Sequence, residues 1–404
     1  MDWIQTWAEA ARTATGFFWK AGWAFVLGYA ISGMIQAFVP KARLTRHMGD
    51  PGARSVSLAT LFGAVSSSCS FAALAAARSL VLKGAHFVAA VAFMFASTNL
   101  VIELGVLIFI FLGWQYVVAE LVGGLLLIAI SSALIRLTYP RAWFEAARDK
   151  VEGEAEMDEE EFDWKERIRS AYGWHLVGHK FVKDWKMVWE EIVIGFTVAG
   201  FVAVLVPASF WAQIFLIDAG ESVPQWLVLL ENAAVAPFVA AATFIGSMGN
   251  IPLATVLASN GVLFAGIMGF IYSDLMVPPL VAINVKYYGR RVAFYIAAVM
   301  FASIVATALV LHYSFAALDL TPETTRAVEE VSRFAVDYSF WLNLVMAGLA
   351  AWMVALHRKH LRQHLDGDPG HDHEGGLSAK RLVVYTMLLL VAGGLIAGFA
   401  TGTF

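Results

Sequence analysis

"SSSCSFAALAAARSLVLKGAHFVAAVAFMFASTN", Ser66 to Asn99, sets a serine cluster, the chain's only cysteine and an asparagine inside otherwise apolar sequence. An echo of it runs from Gly246 to Asp274, "GSMGNIPLATVLASNGVLFAGIMGFIYSD". A shift of 177 residues superposes Ser70 on Ser247, Ala77 on Ala254, Leu80 on Leu257, Gly84 on Gly261, Phe87 on Phe264 and Phe93 on Phe270. Small-residue, polar-interrupted apolar segments at matching places in two halves of a chain point to a transport site at the junction of those halves.

The composition agrees. With 404 residues, 59% hydrophobic side chains, 15% charged ones and a mean hydropathy of +0.67, the chain is more apolar than a soluble domain. Apolar runs long enough for a ~30 Å hydrocarbon core alternate with charged sequence, which predicts an all-α polytopic membrane protein with 8 to 10 spans. One cysteine excludes an intramolecular disulfide and a multi-cysteine metal cage within the chain. The start, "MDWIQTWAEAARTATG", lacks the pattern of a signal peptide; residues 1–15 are expected to form an interfacial helix anchored by Trp3, Ile4 and Trp7.

The first membrane repeat is expected over residues 16–138. A span from Gly16 to Val39 is followed by the basic loop Lys41, Arg43, Arg46 and Arg54, which the positive-inside rule places in the cytoplasm, with the amino terminus outside. Ser57 to Ala77 then carries "SSSCS" at its centre and has Arg78 and Lys83 just after it, so it enters and returns as a re-entrant hairpin. Spans follow at Gly84–Phe111 and Tyr116–Leu137, then a cytoplasmic charged linker at 139–190. The second repeat, 191–316, places spans at Ile192–Ile217, Gly261–Asn284 and Arg291–His312, with its hairpin at Val235–Ala258. Three crossings and one hairpin are an odd number, so the second copy is expected to be inverted, as the loop charges require. An external acidic loop at 317–339 and two further spans, Phe340–Leu356 and Leu382–Ala400, joined by a His-rich cytoplasmic loop, complete the chain.

With inverted copies, the hairpin tips Ser66–Ser70 and Gly246–Asn250 approach each other near the midplane. Half-helices starting there aim amide N–H groups and positive dipole ends inward, which suits anionic or polarisable guests. Ser68, Cys69, Ser70, Asn99, Ser247, Met248, Gly249 and Asn250 are therefore the expected substrate-binding residues. Cys69 and Met248 add a soft thiol and thioether suited to thiophilic metals or metalloids, although a small buried hydrophobe and ordinary packing explain them as well. Glu103 and Asp274, ionisable groups inside spans, are expected to couple ions; Glu120 is expected toward the outer third of its span in a wet structural role. Pro252, Pro278 and Pro279 break or kink helices, and Asn250 suits freed backbone groups. His371 and His373, in "GHDHEGG", form a weak Zn²⁺ or Cu²⁺ candidate beside the blander reading of a solvated linker. His175 and His179 share a helix face. No Walker loop, Gly-x-Ser-x-Gly elbow or His-Glu-x-x-His occurs; no catalytic residue and no cofactor is expected.

"SSSCSFAALAAARSLVLKGA" with "FASTNLVIELG", and "GSMGNIPLATVLASNG" with "DLMVPPLVAI", resemble the predicted permease family that includes the bacterial organoarsenical efflux permeases, over Ala21 to about Ala316. Members near the arsenical permeases carry a Pro-x-Cys-x-Cys type signature at the first hairpin; here Cys69 stands without that proline, so the resemblance transfers only to Cys69 and its serines. It implies a multi-pass protein of the bacterial inner membrane, moving a small solute outward in exchange for protons. Its expected partners are membrane lipid and the solute or ion, with no nucleic acid and homo-oligomerisation left open. A membrane-embedded redox or metal-handling enzyme using Cys69 as nucleophile, and a channel-like subunit of a larger complex, are the alternatives.

Overall fold

The structure is a computed structural model that describes residues 3–38, 48–66, 70–82, 84–140, 164–217, 223–243, 245–322, 326–364 and 379–403. Those residues are helical with no strand among them. Among the described residues, seven helices are long and apolar enough to cross a membrane, and up to nine spans result if each of two bent helix pairs is one crossing. Large apolar side chains such as Leu344, Leu389, Ile396 and Phe399 stay exposed at 60–76%, as lipid-facing residues do where the solvent is hydrocarbon.

The chain forms two compact units, Met1–Pro40 with Glu161–Val206 and Ala327–Phe404, and Lys41–Glu160 with Pro207–Arg326. In the first unit, α1 (Trp3–Phe38) packs along α8 (Ala171–Leu205), which follows the short α7 (Trp164–Arg169). The contact is intimate because a Cβ on Gly200 would lie 2.5 Å from Ala14 Cα; small residues let two membrane helices approach this closely. The segment 1–15 opens α1 without a break, with Ala8, Ala10, Ala11 and Ala14 buried. Residues 171–190 likewise continue into α8, where Asp184 accepts hydrogen bonds from Ser32 and Gln36. Short α15 (Val328–Ser332) packs on α1, as do α16 (Tyr338–His364) and α17 (Ala379–Thr401). Lys20 pairs with Asp337.

The second unit contains both segments expected to form hairpins. Helix α2 (Ala53–Ser66) and α3 (Ser70–Leu82) flank residues 67–69, and α10 (Gln225–Thr243) and α11 (Ser247–Ser259) flank residues 244–246. Each hairpin leads into a bent pair: α4 (Phe87–Asn99) with α5 (Ile102–Phe111) at 45°, and α12 (Phe264–Ile271) with its 3₁₀ extension Tyr272–Met276 and α13 (Pro278–Tyr288) at 41°. The long helices α6 (Trp114–Thr138) and α14 (Arg290–Ala317) close the two series, and α9 (Ala208–Ile214) precedes α10. Where a hairpin was expected from Val235, α10 begins already at Gln225, just after Pro224, and is by itself long and apolar enough to cross a membrane.

The packing repeats with the order. Helix α2 lies on α4 as α10 lies on α12, α4 on α6 as α12 on α14, and α5 on α6 as α13 on α14. Across the series, α3 packs on α13 and α11 on α5, while α6 and α14 pack on each other. Gly84 and Gly261 end the hairpins at φ +96° and +89°, and Gly113 and Gly289 precede the closing helices at +103° and +84°, a conformation glycine adopts without the Cβ penalty. Every residue of α4 and of α12 is buried, as expected of helices that are apolar on every side.

Candidate functional site

Both helix breaks expose backbone groups inside the apolar unit. At the first, α4 ends at Asn99, Val101 is extended and α5 begins at Ile102. At the second, the 3₁₀ turn ends at Met276, Val277 is extended and Pro278 opens α13, a position where proline's missing N–H costs nothing. Asp274 sits in that 3₁₀ turn and is fully buried.

Ser70, the first residue of α3, donates a hydrogen bond from Oγ to Asp274 Oδ2 at 2.8 Å, with both side chains buried. The bond ties the outgoing limb of the first hairpin to the helix break of the second series. Two expected site residues from distant parts of the sequence are thus in direct contact. Ser68 and Cys69 lie outside the described residues, as do His371 and His373.

Asn250 holds the second hairpin's turn. Its amide donates to Ile245 O at 3.4 Å and its side-chain oxygen accepts from Thr243 Oγ1 at 3.4 Å, while its backbone N–H reaches Gly246 O at 3.2 Å. Gly249 and Ser247 are buried on the same helix, and Met248 is half-buried. Asn99 donates to Thr98 Oγ1 at 3.2 Å, and its Oδ1 is buried with no hydrogen-bond partner among the described residues. Glu103, 3% exposed, occupies the first turn of α5, where a carboxylate is favoured by the helix dipole.

Two further polar residues stand out, Asn232, which the sequence did not point to, and Glu120, whose expected setting was different. Asn232, fully buried on α10, donates to Phe215 O at 2.6 Å, Val228 O at 2.9 Å and Glu231 Oε2 at 3.0 Å, and accepts from Leu263 N at 3.1 Å; it fastens α10 to the start of α12. Glu120 on α6, expected to be wet, is 1% exposed. A single carboxylate in an apolar run carries no sign of what it faces, so only the fold reveals that Tyr272, two residues before Asp274, reaches this turn and donates its hydroxyl to Ala119 O at 3.0 Å.

In the first unit, His179 on α8 meets His357 and His360 on α16 with ring centroids 5.2 and 4.7 Å apart. Among the described residues, no group of three His, Cys, Asp or Glu side chains has the geometry to hold a metal ion.

A family model described as "Predicted permease" matches residues 6–313. The chain belongs to this permease family. It is also 36% identical over 327 residues to "Putative permease Rv2963" of Mycobacterium tuberculosis (strain ATCC 25618 / H37Rv), covering 78% of this chain and 79% of that protein. No solved structure matches. The match spans both hairpins and both helix breaks, so a permease carries them, within a multi-pass all-helical protein.

Proposed function

We propose that this permease moves a small solute out across the cytoplasmic membrane by alternating access, with the amino terminus outside, at a site built from the two hairpin turns and the two helix breaks. Cys69 and Met248 supply the soft donors that suit a metal, metalloid or other thiophilic compound, and protons exchanged through Asp274 or Glu103 drive the movement. Two inverted copies of one unit give such a site its two faces.

The buried Ser70–Asp274 hydrogen bond carries this reading. It joins a hairpin of one copy to the broken span of the other, so movement of either copy relative to the other has to break, stretch or carry that bond. An acidic side chain in such a place is costly in a membrane and is retained for ion or substrate work. The N-termini of α3, α11, α5 and α13 at these turns add oriented N–H groups.

The reading is tested by growth of cells with and without the protein on metals, metalloids and their organic derivatives, followed by flux into inverted vesicles with the compound that scores. The expected result is resistance and uptake into inverted vesicles, with Cys69→Ser changing apparent affinity. Absence of flux for every compound class tested overturns it.

A further inference from the structure

Glu120 is the one carboxyl group among the described residues whose two side-chain oxygens are both buried with no hydrogen-bond partner. A buried structural polar residue in the same unit looks different: Asn232 uses both ends of its amide in four hydrogen bonds. A carboxylate anion with no protein donor or ammonium beside it costs several kcal/mol in an apolar interior, whereas the neutral acid costs far less. The cations on the helices packed on α6, Arg290 and Arg291 of α14, lie at its far end, where Tyr295 meets Thr138. Helix α4 has no titratable side chain; α5 offers Glu103, the 3₁₀ turn Tyr272 and Asp274, and α14 His312, with Tyr116 on α6 itself. Of these, Asp274 shares its turn with Tyr272. The link to Glu120 is structural, since Tyr272 carries its hydroxyl to the carbonyls of Ala119 and Glu120 at 3.0 and 3.5 Å.

We propose that Glu120 and Asp274 form a proton-carrying pair, in which Glu120 holds the proton as a neutral acid while Asp274 remains an anion accepting from Ser70. The inference rests on the permease reading and deepens it by assigning the carried proton to Glu120. When the site opens to water, Glu120 releases its proton to a water molecule, leaving two neighbouring carboxylates. Their repulsion favours whichever arrangement separates or hydrates them, so proton release shifts the conformational balance. Reprotonation from water on the other side restores the closed arrangement. Because the two carboxyl groups interact, they titrate as a pair.

Difference infrared spectroscopy on the purified full-length protein in lipid tests this without any transported solute. The carbonyl stretch of a protonated carboxyl group is expected near neutral pH. It should shift when the wild-type protein is made with carbon-13-labelled glutamate, vanish in Glu120→Gln, and persist in Asp274→Asn with an altered titration. Glutamate labelling needs no mutation, so the assay stands even where Glu120→Gln fails to fold. No such band, a band that labelled glutamate leaves in place, or one that survives Glu120→Gln overturns the pair. A Glu120 band together with no flux of any solute overturns the permease reading and leaves the pair intact, whereas flux without the band does the reverse.

Discussion

The two helix breaks of the second unit share a scaffold and differ in chemistry. At the first, Ser97 donates back to Met94 O of its own helix at 3.0 Å, and the register position of Tyr272 is taken by Phe95, buried and without a hydroxyl. At the second, Asp274 takes the place of Ser97 and reaches a hairpin of the other series, while Tyr272 reaches α6. A serine that bonds its own helix is self-sufficient. An aspartate in the same place requires a partner, and it is the element through which a proton or solute can be felt across the unit. The two series share the same order and packing of elements, and the difference at two register positions supplies the polarity.

Adjacent glycines of α6 allow the comparison to be broken from the scaffold side. A Cβ on Gly123 would run into the Tyr272 hydroxyl and lie 2.5 Å from Leu311 Cδ1, whereas one on Gly124 would lie 2.6 Å from Leu100 Cδ2, at the first break. The Tyr272 hydroxyl is fixed by its bond to Ala119 O, while a leucine methyl can rotate away. Gly123→Ala is expected to destabilise the protein by about 1–3 kcal/mol, as overpacking does, and Gly124→Ala by clearly less. Thermal unfolding in detergent compares them, and equal losses would contradict the difference drawn between the breaks.

An effect of at most the same size is expected from the serines. Ser70→Ala removes a donor from a buried carboxyl group and should cost about 1–3 kcal/mol, with flux reduced. Ser97→Ala loses a bond within its own helix and should cost under about 1 kcal/mol with flux unchanged. The same unfolding assay with paired flux measurements reads both.

The smallest effect lies in the first unit and serves as a control. Burial of the Asp337 carboxyl opposes its ionisation, but the Lys20 ammonium and the Ser339 N–H, at 2.9 Å, outweigh it and hold Asp337 below the usual carboxylate range. A carboxylate with a lowered value in the folded state stabilises the fold above its unfolded value, about 3.9, and loses that contribution as pH falls through the folded value. Lys20→Met should flatten this acid-side dependence of the unfolding temperature and leave the two breaks undisturbed.

Much of this difference was legible in the sequence. The run "SSSCS" and its echo "GSMGN" mark where α2 gives way to α3 and α10 to α11, and the 177-residue register sets Asp274 against Ser97. Apolar runs cannot announce their own continuity, however. Nothing in the composition near residue 190 says that a charged segment continues into a 35-residue helix, or that the second hairpin begins at Gln225. Glu120 and Asn232 were illegible for a related reason: each is one polar residue in a hydrophobic run, and whether it is satisfied depends on partners from other helices.

The most direct test of the whole account measures solute flux into inverted vesicles for Asp274→Asn and Ser97→Ala side by side, each checked for wild-type folding. Transport is expected to be lost in Asp274→Asn and kept in Ser97→Ala. Equal flux in the two variants would contradict the claim that the second break carries the chemistry.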